Sequence, residues 1–384
     1  MFSALKHHFI PFNMHPFLPQ TIAFICGIFL QKWLATPFVF AFGITLTIIT
    51  IAGYITLQKK LLATFCLLSL ICTCGSLRYY YQQKNHADFF SLIADCPFDT
   101  QATVTSIVPM EQARMKWCIT VLTENIQTYS TIQTVHNVSK TIQIYTSKKP
   151  NIQVQDVIKI KNLTLKKASK DSYNNYLIKE DIAATLFLPT FDFDVIKHPT
   201  YSFARTLYYF KENLLSRCKK KLSPQTFAFF SSVFLGNRQW GKKHMEKPKE
   251  YCKTWGISHY LARSGLHMVI FIFAWHLLLN LLPISLRFKE IFLIFLSILY
   301  YMLSWSSISF IRAFFSFILY KSCSLLKLPS QLLHLLTIVT FLVLLFNPMQ
   351  LFFLDFQLSF GLTFALAWFN HIHNKKLTSN MQKC

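Results

Sequence analysis

The sequence predicts an α-helical polytopic membrane protein with a small all-β domain inserted between two sets of membrane helices. Of its 384 residues, 53% are hydrophobic, and most of these are gathered in runs long enough to approach the thickness of a bilayer. A polar stretch of roughly a hundred residues with strand-like alternation interrupts the runs. The chain also carries 39 Lys and Arg against 16 Asp and Glu, which favours an anionic partner or a fixed orientation in the membrane.

Residues 1–87 are predicted to form about three transmembrane segments. The apolar runs are Phe17–Leu34, Pro37–Leu57 and Leu61–Leu77. Lys6, His7 and His8 precede the first run as they would in a secretion signal, but no small-residue cleavage site follows them. We therefore expect a retained anchor.

Residues 88–200 are predicted to form a separate β-domain. Five short stretches alternate apolar and polar residues with period two: Ala102–Val108, Trp117–Leu122, Thr141–Tyr145, Val157–Leu163 and Ile182–Leu188. Five such strands are compatible with an OB-like barrel, a fold that commonly binds single-stranded nucleic acid or oligosaccharide. An SH3-like barrel or a small sandwich would give a similar pattern.

The positive charge is concentrated after this domain. Residues 88–200 hold 12 Lys and Arg against 11 Asp and Glu, whereas residues 201–260 hold 12 against 3. We interpret residues 201–263 as a basic amphipathic juxtamembrane segment that binds phosphate. The candidate residues are Arg217, Lys219, Lys220, Lys221, Arg238, Lys242 and Lys243. Binding of anionic lipid headgroups explains the same charge equally well.

Residues 264–384 are predicted to contain about five more helices and a short cytoplasmic tail. The apolar runs are Ser264–Pro283, Phe288–Ser304, Ser306–Leu326, Gln331–Asn347 and Asp355–Asn370. Basic residues border alternate connections, at 287–289, 321–327 and 375–376. The positive-inside rule then makes these connections and both termini cytoplasmic, and it places the β-domain outside. Lys32 is a minor exception.

The cysteines do not predict a metal site. The ten cysteines show no CxxC pair and no repeated ligand spacing, so we expect neither a metal nor another cofactor. Cys96 and Cys118 either form a disulfide outside the cell or remain two unpaired thiols.

Three ordered motifs carry a resemblance to a known family. The first motif is LGNRQW, which begins at Leu235, together with the later string WGISHYLARSGLHMVIFIFAWHLLL. The second is ISFIRAFF, which contains the pair Arg312-Ala313. The third is FNPMQLFFLDFQLSFGL, which contains Asn347-Pro348 and Phe356-Gln357-Leu358-Ser359-Phe360. Together these strings resemble the competence domain of ComEC-type proteins. The upstream strings VQDVIKIKNLTL and NNYLIKEDIAATL resemble the external OB-like domain of that family.

The resemblance implies an inner-membrane channel that conducts single-stranded DNA into the cytoplasm during natural competence. Its partners would be single-stranded DNA, membrane lipids, a periplasmic DNA-receptor protein, a cytoplasmic helicase or single-strand-binding protein, and a further copy of the chain in a homo-oligomer. The signature places the DNA path at His259, Arg263, Ser264, Gly265, His267, Arg312, Asp355, Gln357 and Ser359. Because no GxxxxGK[ST] motif is present, the energy for transport is expected from a partner.

Several positions depart from the family pattern. Asn237 stands where Asp is usual, and Gln155 and Asn162 stand at the glycine turn positions of the barrel. Many members continue into a metallo-β-lactamase-like domain with an HxHxDH motif, whereas this chain ends at Cys384 and is expected to be a short form without that nuclease-like domain. We interpret the pair His371 and His373 as part of the basic tail rather than as a metal site.

The signature helix suggests a polar stripe. His259, Arg263 and His267 are spaced four apart and would share one helix face, while the small Ser264 and Gly265 would allow close approach of a helix or of DNA. The alternative is that these residues cap and pack the start of a helix. Since no acidic residue lies near Ser264 and His267, we expect a channel and not an enzyme.

Arg312 lies inside an apolar run, where an unpaired charge is costly. Only two acids, Glu290 and Asp355, occur in residues 260–384, and topology puts Asp355 on the same side as Arg312. We therefore predict an Arg312–Asp355 pair, which acts either as a structural clamp or as part of the channel wall.

Two other functions remain open for the chain as a whole. The first is transport of another polyanion, such as a lipid-linked glycan. The second is a reduced membrane scaffold without transport activity.

Overall fold

The structure, a computed structural model, describes residues 17–34, 43, 59–93, 97–110, 115–128, 134–165, 171–188, 193–199, 201–236, 242–256, 265–305, 307–328 and 331–381. The chain forms two compact units. The first comprises Met1–Gln83, Met268–Ile298 and Ile308–Cys384, and the second comprises Lys84–His267 and Leu299–Ser307.

Helices predominate, with one mixed β-sheet inserted among them. The helices are α1 Leu18–Leu34, α2 Lys59–Ile93, α3 Asp171–Lys179, α4 Phe203–Lys221, α5 Pro224–Phe229, α6 Lys242–Thr254, α7 Gly265–Asn280, α8 Leu286–Leu303, α9 Ile308–Leu325, α10 Leu332–Phe346 and α11 Leu354–Met381. The strands are β1 Phe98–Pro109, β2 Trp117–Thr128, β3 Thr134–Thr146, β4 Val157–Leu163, β5 Ile182–Phe187 and β6 Phe193–Lys197.

The sheet of the second unit has the strand order β5-β3-β2-β1-β4-β6. Strands β1, β2 and β3 form an antiparallel meander, β5 joins β3 in parallel, and β4 joins β1. All five predicted strands are confirmed as strands, and β4 has the predicted bounds. The sheet has a sixth strand because Phe193–Lys197 pairs with β4, and α3 precedes β5; neither element was predicted. The OB-like barrel stays a prediction.

The core of this unit lies on one face of the sheet. The buried residues alternate along each strand, as in Val104 of β1, Ile144 of β3 and Ile160 of β4, and Phe89 from the end of α2 packs among them. Gln155 and Asn162 have φ of 71° and 54°, so both occupy the left-handed region that the glycine turn positions of the barrel implied.

Helix α4 begins directly after the sheet. The Ser202 hydroxyl caps its first turn by accepting from the Arg205 amide. A short π-helical turn, Phe230–Phe234, continues α5. The connection between α8 and α9 belongs to this same unit, because the Trp305 amide donates to the Leu235 carbonyl at 2.8 Å.

In the first unit, the predicted runs form helices wherever the structure describes them. The run Pro37–Leu57 lies outside the described residues, apart from position 43. Among the described residues, α9 is the one helix long and apolar enough to cross a membrane, and α7 and α10 are apolar but shorter. Helix α10 ends at Phe346, because Pro348 disfavours a helical conformation at the preceding residue, Asn347.

Helices α1 and α2 approach each other closely at two glycines. A Cβ on Gly27 would lie 1.9 Å from the Cys72 carbonyl oxygen, and one on Gly75 would lie 2.3 Å from the Phe24 carbonyl oxygen. The Ser76 hydroxyl donates to the Gly27 carbonyl at 2.8 Å. This contact therefore depends on the absence of side chains at both glycines.

Candidate functional site

The basic segment is attached to the sheet by a buried ion pair. Arg205, in the first turn of α4, donates to Asp156 Oδ1 at 2.5 Å and to the Val154 carbonyl at 2.8 Å. The Asp156 side chain is fully buried, and its Oδ1 also lies 3.0 Å from His198 Nδ1. A buried carboxylate with these partners fixes where α4 leaves the sheet.

The middle of α4 adds further contacts. The Tyr208 hydroxyl donates to the Ile107 carbonyl at 2.5 Å, and Lys211 Nζ lies 3.2 Å from the centroid of the Trp305 ring. Burial raises the pKa of the neighbouring Glu212 carboxyl, against the opposite effect of Lys211. The only acid of α4 is thus half-buried.

The last turn of α4 carries the strongest exposed charge of this segment. Arg217, Lys219, Lys220 and Lys221 are all exposed, and three of them lie where the helix dipole favours cations. Four cations within five residues form a surface suited to phosphate groups. Lys242 and Lys243 begin α6, but their side chains lie outside the described residues, as does Arg238.

The signature residues are only partly described. His259, Arg263 and Ser264 lie outside the described residues, so their predicted common face stays a prediction. Gly265 is buried at the start of α7. His267 is buried, and its ring lies 6.1 Å from that of Phe234 in an edge-on contact.

Arg312 is held by oxygen atoms of α11. Its Nη1 donates to the Ser359 carbonyl and to the Thr363 hydroxyl, and its guanidinium lies 5.8 Å from the centroid of the Phe360 ring. These contacts correct the predicted Arg312–Asp355 pair. The carboxylate belongs to the first turn of α11, whereas Arg312 reaches acceptors one and two turns further along the same helix.

The other signature residues of α11 have different surroundings. Asp355 is exposed at the helix N-terminus, where a negative charge is favoured, and its Oδ1 accepts from the Phe356 amide. Gln357 is exposed and donates to the Leu351 carbonyl at 3.0 Å. The Ser359 hydroxyl is buried without a hydrogen-bond partner among the described residues. Of the predicted site residues, the structure thus brings Arg312 and Ser359 together.

No group of three or more His, Cys, Asp or Glu side chains in the described part of the chain could hold a metal ion. Cys118 is a buried free thiol, and Cys96 lies outside the described residues.

Three sets of contacts were not predicted from the sequence. Asp156 and Arg205 are 49 residues apart, and no local pattern connects them. The contact of Thr363 with Arg312 could not be predicted either, because a threonine in an apolar helix is not unusual. Four rings gather at the outer face of the sheet: Tyr145 and Phe187 from β3 and β5, and Tyr173 and Tyr176 from α3. The alternation of β3 and β5 could have revealed the first two, whereas α3 was not predicted.

Comparison with known proteins finds similarity in the C-terminal part of the chain. Residues 235–384 match the family model described as "Competence protein". ComE operon protein 3 of Bacillus subtilis (strain 168) is 29% identical over 169 residues, which cover 44% of this chain and 21% of that protein. The match thus spans about a fifth of the relative's length. No solved structure matches the chain.

Proposed function

We propose, from the match of residues 235–384 to the family model described as "Competence protein", that the chain acts in DNA uptake as an inner-membrane channel for single-stranded DNA. The strand would enter the cytoplasm through it during natural competence. The family match is the observation that carries the proposal. We propose no catalytic step, and a cytoplasmic helicase or single-strand-binding protein would supply the driving force.

Exposed apolar side chains support several membrane crossings. Leu362, Leu366 and Phe369 of α11 are 61–70% exposed, and Phe273 of α7 is 61% exposed. Large apolar surfaces of this kind are unusual in water and favourable in lipid.

Contacts within the first unit agree with the proposed orientation at its external end. Arg78, just after the third predicted span, donates to the Leu345 and Phe346 carbonyls at the end of α10. Lys32 Nζ, at the end of α1, lies 3.7 Å from the centroid of the Phe352 ring, whose other neighbours include Tyr79. All these residues belong to ends that the sequence assigns to the outside, and the contact with Phe352 gives Lys32 a favourable partner there.

Contacts between the helix ends that are predicted to be cytoplasmic also agree with the proposed orientation. Lys321 Nζ, near the end of α9, lies 3.2 Å from Glu290 Oε1 at the start of α8. The Phe17 ring lies 6.3 Å from that of His334, and the Thr21 hydroxyl donates to the Thr337 carbonyl at 3.4 Å. Helices α1 and α10 therefore run in the same direction, which the predicted order of crossings requires.

In the second unit, the basic segment and the sheet together would receive the strand. The exposed cations of α4 supply phosphate contacts, and the ion pair between Asp156 and Arg205 fixes their position relative to the sheet. Within the first unit, the polar contacts of Arg312 with Ser359 and Thr363 would line part of the path along α9 and α11.

A deletion strain tests the proposal. Loss of the gene should abolish transformation by added DNA, leave envelope glycans unchanged, and be reversed by the wild-type chain. Normal transformation together with an altered envelope glycan would instead assign the chain to transport of another polyanion.

A further inference from the structure

Four aromatic side chains gather on the outer face of the sheet, opposite the core; we call them the aromatic cluster: Tyr145, Tyr173, Tyr176 and Phe187. The Tyr145 and Phe187 rings stack at 4.9 Å with an angle of 15°, and the Tyr173 and Tyr176 rings stack at 6.3 Å with an angle of 19°. Phe187 is 60% exposed although Tyr145 covers one of its faces, so its other face is open. Tyr173 and Tyr176 are each more than 40% exposed.

The surroundings of the cluster are polar but weakly charged. The Tyr173 and Thr185 hydroxyls lie 3.2 Å apart, and the Tyr145 hydroxyl donates to Gln143 Oε1 at 3.1 Å. The nearby acid Glu180 lies 3.5 Å from Lys179 Nζ. Open rings beside hydroxyl and amide groups suit a ligand that itself presents flat rings, rather than a phosphate group.

Strand register connects this cluster to the basic segment. Val108 pairs with Cys118, Cys118 with Tyr145, and Tyr145 with Phe187, so these residues form one row across four strands. Adjacent strands are about 4.8 Å apart, which makes the row about 14 Å long. The Tyr208 hydroxyl of α4 donates to the carbonyl of Ile107, immediately beside the first residue of the row. Tyr208 packs against the core, so α4 reaches the sheet from the face opposite the cluster, and a single strand that binds both must pass over the strand ends beside this row.

From this placement we propose that the aromatic cluster is a base-stacking platform for the single strand whose phosphates bind the cations of α4. The inference rests on the proposed function. Single-stranded DNA is the occupant that fits both features, because it presents unpaired bases to the rings and phosphates to the lysines. A neutral oligosaccharide would use the rings but would gain nothing from the basic helix.

The test measures binding of two fluorescent oligomers of equal length to the full chain in detergent. One is a thymidine oligomer, and the other has the same sugar-phosphate backbone without bases. Phe187→Leu and Tyr176→Leu remove exposed rings but keep apolar side chains, whereas Phe187→Tyr and Tyr176→Phe keep the rings. Tyr201→Leu is the matched control, because Tyr201 is 82% exposed and lies outside the cluster.

The wild-type chain should bind the thymidine oligomer at least about tenfold more tightly than the abasic one. Each ring-removing variant should weaken thymidine binding by about tenfold and leave abasic binding unchanged, and each ring-keeping variant should bind like the wild type. Equal affinity for the two oligomers, or an equal loss in Tyr201→Leu, would overturn the platform and leave DNA binding by the basic helix intact. If only a neutral chito-oligosaccharide binds through the rings, the platform belongs to a glycan. If neither oligomer binds, the proposed function fails as well.

Discussion

Arg312 illustrates how a single cation is accommodated in an apolar helix. A guanidinium carries several donors in a planar arrangement, and here Nη1 reaches two oxygen acceptors on α11. A backbone carbonyl and a hydroxyl carry partial negative charge without the cost of burying a carboxylate. The residue does not require an acid for its stability.

Removing the Thr363 acceptor should therefore matter more than removing the Asp355 charge. We expect Thr363→Val to lower the free energy of unfolding by about 1.5–3 kcal/mol, the range for a hydrogen bond to a charged group. Asp355→Asn should lower it less, because Asp355 is exposed in the first turn of α11. Thermal unfolding of the purified chain measures both. In a double-mutant cycle, Arg312→Leu and Thr363→Val should be non-additive. Additive losses, or a larger loss in Asp355→Asn, would restore the ion pair first expected.

Asp156 provides a second residue-level prediction. Its carboxylate is fully buried against Arg205, so Asp156→Asn should cost about 3–5 kcal/mol by leaving a buried cation without its partner. The matched control is Asp194→Asn, since Asp194 pairs with Lys161 at 2.6 Å but is 64% exposed, and that change should have little effect on stability. Hydrogen exchange should also rise in α4 only for the first variant. Similar effects of the two substitutions would contradict the anchoring role.

At the scale of elements, the contact between α1 and α2 depends on two glycines. Gly27→Ala and Gly75→Ala should each destabilise the chain by about 1–3 kcal/mol, because the added Cβ would overlap a backbone carbonyl of the other helix. Gly361→Ala in α11 is the control: a Cβ there meets nothing within 4 Å, and alanine is the better helix former. Chemical or thermal unfolding distinguishes the three variants. A neutral result at both contact glycines would mean that the helices lie further apart.

The basic segment should determine the salt dependence of DNA binding. Replacing Lys219, Lys220, Lys221, Lys242 and Lys243 with Gln should weaken binding of single-stranded DNA and reduce the slope of log K against log salt by about 0.7 for each phosphate that the variant no longer neutralises. The control replaces five lysines of the sheet and its loops with Gln: Lys116, Lys148, Lys159, Lys161 and Lys197. Anisotropy titrations at several salt concentrations give both slopes. An unchanged slope in the first variant would assign its lysines to lipid headgroups.

The sequence predicted where strands lie along the chain better than it predicted which strands pair with one another. Strict alternation predicted β4 as Val157–Leu163. The resemblance to the family's barrel, and not a local pattern, put Gln155 and Asn162 at glycine turn positions, where the backbone is left-handed. Strand β6 was not predicted, because its five residues are too few to show a clear alternation of apolar and polar side chains. Its place depends on pairing with β4, which is a tertiary effect.

The candidate site was predicted only in part, for a similar reason. Arg312 was recognised because a cation in an apolar run is unusual, but one of its acceptors is a backbone carbonyl, a group that every residue carries. No sequence pattern can single out that group. The cations at the end of α4 were visible as a charge cluster, whereas their attachment through Asp156 depends on a contact between distant parts of the chain.

At the scale of the whole molecule, the orientation is predicted from the basic connections, and the contacts within the first unit fit its order of crossings. A reporter fused near Asn151 should therefore be external, and one fused after Lys376 should be cytoplasmic. Paired enzymatic reporters, one active only outside and the other only inside, measure each position. The opposite pair of results would reverse the entire topology. The same result at both positions would place them on one side of the membrane, which contradicts the odd number of crossings predicted between them.

Conduction is tested most directly with the purified chain in liposomes. Single-strand-binding protein is trapped inside, labelled single-stranded DNA is added outside, and external nuclease then removes whatever has not entered. If the chain conducts DNA, protected DNA should be found only in liposomes that contain the chain, and single strands should be protected in preference to duplex. DNA that binds the liposomes but remains fully sensitive to external nuclease would contradict a channel and leave a DNA-binding scaffold.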